Sequence, residues 1–382
     1  LPGPLSGVLM MILLVVNTLF WATPLLIFAV FKLISPIRGL RDFFSRASAW
    51  SGQYWAAVNT MLGDALLPTK WTIRGVDKLN MNGQYLVSSN HQSWNDIYVL
   101  MKAFDRRAPF FKFFIKQELI WVPVLGLCWW ALDYPFMKRY SSKYLAKHPE
   151  MRGKDFETTK KVCERYQNIP VTILNFLEGT RFTKVKHADT RSPYTHLLKP
   201  KSGGFALALR ALGENVNSLL DVTIVYPGGA KGFWDFMCCR VPEVIVEVRQ
   251  ITIPHEMYVG SYETDKLFRR HIQNWIAGMW AEKDQRIGEL EDMADHPPPG
   301  GLADLPTSQP VTVTGDPLPD YDSNASPDPA VGTKAPILDG SNFNGQPIKV
   351  GDYQPGKITH SLVATKPVTL RAGWNQIHVR GH

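Results

Sequence analysis

The chain has 382 residues and a formal net charge of +8, which is long enough for one large domain with appendages or for two domains. A hydrophobic content of 45% excludes a wholly disordered protein. The basic excess fits nucleic acid, an anionic membrane surface or a phosphorylated substrate, and composition does not choose among them.

Val8 to Phe31 holds no charged residue and meets the roughly 20 residues that a bilayer-spanning helix needs. It is expected to anchor the chain in a membrane. A cleaved signal peptide fits less well, because no basic residue precedes the stretch and no small-residue cleavage site ends it. Lys32, Arg38, Arg41 and Arg46 follow, so the positive-inside bias puts the rest of the chain in the cytoplasm. Pro24 permits a kink, or a helical hairpin that only dips into the membrane. The first residue is leucine, which leaves room for residues before it.

From about Trp71, short apolar strands alternate with helical stretches. This is the pattern of an α/β domain with a twisted, mostly parallel sheet flanked by helices. Expected strands are "WTIRGV", "QYLVSS", "PVTILNF", "DVTIVYP" and "EVIVEVRQITI". Expected helices include "DIYVLMKAF", "KDFETTKKVCERYQ", "GGFALALRAL" and a long one that begins at "DKLFRRH" and closes the domain near Ala294. The apolar run from Leu119 to Leu132 is too short to span a bilayer, and reads as a buried helix or as a surface that touches lipid.

After Ala294 the composition turns to Pro, Asp and Gly, and such a linker buries too little apolar surface to fold. The last residues, "KPVTLRAGWNQIHVRGH", have weak hairpin character and carry no evident chemistry; they read as an expression appendage or a poorly ordered tail. The organisation is then an anchor over 1–35, a folded domain over 36–294, and a linker and tail over 295–382 outside that fold. Cys128, Cys163, Cys238 and Cys239 form no CxxC pair and have no histidine cluster at zinc spacing, so they read as reduced thiols and no metal is expected.

Two motifs carry chemistry. In "NHQSWND", Asn90 to Asp96, the plain reading is a capping box: Ser93 caps the helix that follows and Asp96 returns a hydrogen bond to it. That leaves His91 unexplained. A five-residue spacing does not share one helix face, so His91 stands before the helix. An Asp in the first turn can fold back onto one imidazole nitrogen and leave the other free as a general base. No nucleophile elbow accompanies the pair, so the base is expected to act on a substrate hydroxyl. In "NFLEGTRFT", Asn175 to Thr183, a glycine at a strand's end marks a tight turn, and Arg181 offers a bidentate fork to phosphate; alone it fits an idle surface turn as well.

Together, "NHQSWND" and the later "EGTR" resemble the glycerolipid acyltransferase family that includes the 1-acylglycerol-3-phosphate acyltransferases. "FIKQELIWVPVLG", "PFMKR" and "VTIVYP" are similar to the family's intervening and last motifs. The wording of "FLEGTRFT" and "FMKRY" is most similar to a subgroup with lysocardiolipin-type enzymes and bacterial relatives. The resemblance covers about Trp71 to Ala294 and the anchor.

It implies His91 as the base that deprotonates the acceptor hydroxyl, with Asp96 orienting it. It also implies Lys116, Arg139 and Arg181 as holders of the acceptor phosphate, in a pocket shaped by Glu178, Gly179 and Thr180, and Pro227 near the acyl donor. Leu177 and Tyr226 depart from the family's pattern, and neither is expected to touch the base. The implied activity is transfer of a fatty acyl group from acyl-CoA or acyl carrier protein to a lysophospholipid, first of all 1-acylglycerol-3-phosphate. No cofactor is implied, and the partners are lipid substrates, the membrane and acyl carrier protein, not nucleic acid. The Leu119 to Leu132 run is then expected to contact acyl chains. Rivals are another phosphate-bearing acceptor such as lysocardiolipin or lysophosphatidylglycerol, a hydrolase releasing the acyl group to water, and a non-catalytic protein that binds anionic lipid.

Overall fold

The computed structural model describes residues 2–137, 166, 169–216, 218–262 and 264–297. Arg139, Cys163, nearly all of the helix expected over 154–167 and the tail beyond residue 297 lie outside the described residues.

Two long helices open the chain, α1 (Gly3–Ile34) and α2 (Arg38–Leu66). α1 has 32 residues, about 48 Å at the helical rise, and is long and apolar enough to cross a membrane. Its faces are inverted relative to a helix of a soluble core: Ser6, Gly7, Ala22 and Ala29 are buried, while Ile12, Val16, Phe20 and Val30 are exposed. α2 likewise buries Ser48, Ser51, Gly52, Ala56 and Gly63, and such small residues let helix backbones approach closely. Asn17 bridges the pair, its amide donating to Asn59 Oδ1 (2.7 Å) and to the Trp55 carbonyl (3.0 Å). α1 is also fastened to the rest of the molecule at both ends. A Cβ at Gly7 would fall 2.7 Å from Cys238 Sγ, and Lys32 Nζ lies 2.5 Å from Asp133.

The strands follow as β1 (Lys70–Arg74), β2 (Gln84–Ser89), β3 (Phe111–Phe113), β4 (Ile115–Lys116), β5 (Phe136–Met137), β6 (Val171–Phe176), β7 (Ser218–Val225) and β8 (Glu243–Thr252). Among them run α3 (Asp96–Phe104), α4 (Leu125–Ala131), α5 (Lys184–Thr190), α6 (Ser202–Leu212) and α7 (Phe233–Met237), and α8 (Lys266–Asp295) comes last. Six strands form one sheet in the order β1-β8-β7-β2-β6-β3, and β4 pairs with β5 separately. Every pairing in the large sheet is parallel except β7 with β8. Alternation along the strands feeds two cores. Leu86, Ile173 and Leu219 meet α6 and α8 through Phe205 and Trp280 on one face. Val87, Leu174 and Val222 meet α3 and α7 through Leu100 and Phe236 on the other.

Buried charges pin α8 across the sheet. Lys283 and Arg249 each lie 2.7 Å from Asp221, and Arg286 and Arg74 each lie 2.8 Å from Glu247. Burial pushes the Lys283 ammonium below its ordinary value, against the pull of Asp221. Buried pairs of this kind gain little net stability, but removing one partner strands the other, so they hold α8 in one register.

Candidate active site

Three neighbouring parallel strands, β7, β2 and β6, end side by side, with Ser89 of β2 paired to Phe176 of β6 and to Val222 of β7. The loops leaving these ends carry His91, the Glu178–Arg181 turn and the Tyr226–Pro227 step. Ligands of open α/β sheets bind beyond the carboxyl ends of the strands, and the motifs converge there. β3 is parallel to β6, so its exit toward Lys116 leaves from the same edge.

Asn90 ends β2. Its buried side-chain amide donates to the Ile224 carbonyl and accepts from the Ile224 N–H, both at 2.8 Å, so it stands in for the next rung of the β2–β7 ladder. The chain turns through Gln92–Asn95 and enters α3 at Asp96. Asp96 Oδ2 accepts from His91 Nδ1 (2.8 Å), from the Gln92 N–H (2.6 Å) and from the Ser93 N–H (3.0 Å). Ser93 Oγ in turn accepts from the Asn95 N–H at 3.2 Å. Only half of the expected capping box forms: Asp96 returns the bond to the Ser93 N–H, but the helix starts after Asn95 with no side-chain cap, and the same carboxylate orients His91.

His91 stacks on Phe176 with ring centroids 4.0 Å apart, and its side chain is 14% exposed. With Nδ1 donating to an acceptor-only carboxylate, Nε2 carries the lone pair, and it has no partner among the described residues. An oriented imidazole with one free, partly exposed acceptor nitrogen can take a proton from a bound hydroxyl.

The turn after β6 needs glycine at 179, where φ is +66° and an L side chain would be strained. Glu178 is 1% exposed and faces inward. Its two oxygens accept the His91 N–H (2.8 Å) and the Leu198 N–H (3.0 Å), and burial pushes its carboxyl up to about 7. Glu178 thus shapes the site from behind, as a brace under His91, with Gly179 at the turn itself. The Phe182 N–H donates to the His91 carbonyl at 2.7 Å, so both backbone groups of His91 are tied to this turn. Thr180 Oγ1 accepts from Lys186 Nζ (2.7 Å), which also donates to the Arg181 carbonyl (3.0 Å). The Arg181 guanidinium lies 4.5 Å from the ring of Trp94, itself 62% exposed.

Lys116 is exposed and pairs with Met137 across β4 and β5, which brings it beside the strand that leads to Arg139. Pro227 opens the turn after β7. Tyr226, which was not expected to touch the candidate base, bonds the partner of His91: its hydroxyl donates to Asp96 Oδ1 at 2.7 Å. The run from Leu119 to Leu132 divides between its two readings. Cys128, Ala131 and Leu132 pack on Ala22, Leu25 and Ala29 of α1, while Leu127, Trp130 and Trp121, the last 85% exposed, face outward. An apolar pocket lies between α1, α2 and α4, lined in part by Trp21, Trp55, Phe110 and Trp129.

Sequence reasoning assigned no role to Trp94 or Lys186. Trp94 stood inside the quoted motif, and an exposed aromatic before a helix was the available signal. Nothing local marked Lys186, whose role depends on α5 folding back over the turn.

Residues 70–227 match the family model described as Acyltransferase. The 1-acyl-sn-glycerol-3-phosphate acyltransferase epsilon of Mus musculus is 24% identical over 234 residues, covering 54% of this chain and 58% of that protein. The gamma protein of Homo sapiens is 31% identical over 195 residues, covering 45% and 44%. The chain thus spans about half the length of these curated relatives. Among solved structures, the 1-acyl-sn-glycerophosphate acyltransferase PlsC from Thermotoga maritima aligns over 73% of this chain and 95% of its own, at 16% identity and a TM-score of 0.43. Residues 70–227, which also hold both chemical motifs, are thus similar to the acyltransferase family.

Proposed function

We propose that this protein moves a fatty acyl group from a thioester, acyl-CoA or acyl carrier protein, to the free hydroxyl of a lysophospholipid, first of all 1-acylglycerol-3-phosphate. The observation that carries the reading is His91, oriented by Asp96 at 2.8 Å through Nδ1 with no partner of Nε2 among the described residues, at strand ends shared with the Arg181 turn. The curated relatives bear names of enzymes that acylate 1-acyl-sn-glycerol-3-phosphate, which supports the choice of acceptor.

In this reading Nε2 takes the proton of the acceptor hydroxyl as its oxygen attacks the thioester carbonyl. The tetrahedral intermediate collapses, the carbon–sulfur bond breaks, and the imidazolium returns the proton to the departing thiolate. Ester and thiol are the products, and the electron count closes without a metal or cofactor. Since a thioester is already activated, most of the gain comes from aligning the hydroxyl and removing its proton. Arg181, Lys116 and Arg139 grip the acceptor phosphate, and the stack on Trp94 keeps the Arg181 fork extended. Gly179 and Thr180 form the turn that presents Arg181, and Pro227 borders the donor. The apolar pocket between α1, α2 and α4 takes an acyl chain.

The paired helices α1 and α2 seat the enzyme in a membrane through the apolar outer face of α1. Because α1 is fastened to the domain at both ends, a hairpin resting in the lipid fits better than a span leading away from the domain. The basic residues after α1 favour the cytoplasmic face.

The test is to incubate detergent-solubilised protein with isotopically labelled acyl-CoA and a panel of lysolipids, and to identify the products by mass. Labelled phosphatidic acid from 1-acylglycerol-3-phosphate is the expected result. Preference for lysocardiolipin or lysophosphatidylglycerol would change the acceptor and keep the chemistry. Free fatty acid formed equally without acceptor would replace the reading with a hydrolase, and no turnover of any acyl donor would favour a lipid-binding protein.

A further inference from the structure

Tyr226 closes the strand β7 at the point where the chain passes from sheet to site. The period of two along β7 puts it with Leu220, Val222 and Ile224 on the face covered by α3, and it is 1% exposed. Its ring fills that apolar cluster, as phenylalanine would. Packing therefore explains the ring and leaves the hydroxyl unexplained, since a buried phenol is costly without a partner. The partner is Asp96 Oδ1 at 2.7 Å. Oδ2 is already occupied by His91 Nδ1 and by the Gln92 and Ser93 amides. The carboxylate is thus gripped at both oxygens, one by the base and its loop, the other by β7.

We infer that Tyr226 is a positioning residue for the His91–Asp96 pair: by holding Oδ1 it fixes the carboxylate's plane, and by sharing its charge it sets how strongly Asp96 attracts the imidazolium. This rests on the reading of His91 as the base. Burial beside Asp96 pushes the Tyr226 phenol well above its ordinary value, so it stays a donor across the working pH range. The other charged and titratable groups around the pair are Glu178 and Arg181 from the turn after β6, Lys186 from α5, Lys231 from the loop after β7, and Lys283 from α8. Of these, Glu178 bonds the His91 backbone, and the Lys231 carbonyl accepts from Ser93 and Asn95. Among the described residues, Tyr226 is the hydrogen-bond partner of Asp96 Oδ1.

The experiment uses the full chain with Tyr226→Phe. Removing the donor leaves Asp96 more basic, which strengthens its pull on protonated His91 and raises the imidazole pKa; the base is then protonated to higher pH. Two readouts are taken. One is the pH dependence of kcat with acyl-CoA and 1-acylglycerol-3-phosphate. The other is the pH dependence of diethylpyrocarbonate modification of His91, followed by mass spectrometry of its peptide, which needs no turnover. The expected result is a rise in the His91 pKa of up to ~1 unit, with the acid limb of kcat moving the same way. At neutral pH kcat falls several-fold, by at most about 10-fold, with little change in acceptor KM. A fluorinated tyrosine at 226, which keeps the shape and donates more strongly, should move the His91 pKa down, and it serves as the test if the Phe variant does not fold. An unchanged His91 pKa in the folded variant, whatever its melting temperature, overturns the inference. Transfer that survives His91→Ala would instead overturn the assignment of the base, while the modification experiment would still decide whether Tyr226 acts on His91.

Discussion

Glu178→Gln tests whether the carboxyl behind His91 is a buried brace. Burial raises its pKa from 4.5 to about 7, while the bonded His91 and Leu198 amides pull it down. A carboxyl whose folded-state pKa is raised binds its proton more tightly folded than unfolded. Its stabilising contribution is therefore complete below the unfolded value and is lost as pH climbs through about 7. Across that window the loss is about 3 kcal/mol at 1.36 kcal/mol per unit. Glutamine has no charge to bury, but it turns an NH2 toward one of the two amides that Glu178 accepts. That leaves the His91 or the Leu198 N–H without an acceptor, at a cost of roughly 1–3 kcal/mol. The variant should therefore melt below wild type at pH 5, and the gap should narrow by pH 8. For a domain of this size the narrowing is about 6 °C. Thermal unfolding of both proteins in one detergent at the two pH values gives the answer. A gap that stays constant with pH, or a variant as stable as wild type at pH 5, would refute the reasoning.

Asp96→Asn keeps an acceptor for the Ser93 and Gln92 amides while removing the charge that orients and stabilises protonated His91. It should lower kcat about 10²-fold or more and stability by only ~1 kcal/mol; normal turnover with only a stability loss would leave the cap as its whole role. Arg181→Ala should raise the acceptor KM and spare the acyl-CoA KM, because it removes a phosphate fork and leaves the base in place. A rise confined to acyl-CoA would move Arg181 to the donor side. Gly179→Ala forces an L side chain to φ +66°, with the added Cβ 3.2 Å from Lys201 Cδ. It should cost ~1–2 kcal/mol by chemical denaturation, and an unchanged denaturation midpoint would contradict the turn geometry.

The parts of the fold legible in the sequence are those with strong periodic signals. "DIYVLMKAF" coincides with α3, and the five expected strands are β1, β2, β6, β7 and β8, because Val, Ile and Leu run nearly unbroken where a parallel strand is buried on both faces. The helix α2 was not among the expected helices; its buried stripe is Ser, Gly, Ala and Asn, while its large apolar residues Leu40, Phe43, Trp50, Tyr54 and Met61 lie exposed, the reverse of a helix in a soluble core. β3, β4 and β5 have only two or three residues each, too few to show alternation. Within the site, His91 and Asp96 were legible because five residues of chain set their relation. The role of Tyr226 was not, because its bond to Asp96 crosses 130 positions and exists only once β7 lies beside β2. Glu178 shows the same limit. The resemblance placed it in the pocket, and only the register of β2 with β6 turns it toward the His91 amide.

The most direct test of the central claim is single-turnover acyl transfer by the His91→Ala protein, with labelled acyl-CoA and 1-acylglycerol-3-phosphate in mixed micelles and melting temperature measured on the same sample. If Nε2 takes the hydroxyl proton, the variant melts close to wild type and forms labelled diacyl product on the order of 10²–10⁴ times more slowly. A folded His91→Ala protein that transfers the acyl group at the wild-type rate would contradict it.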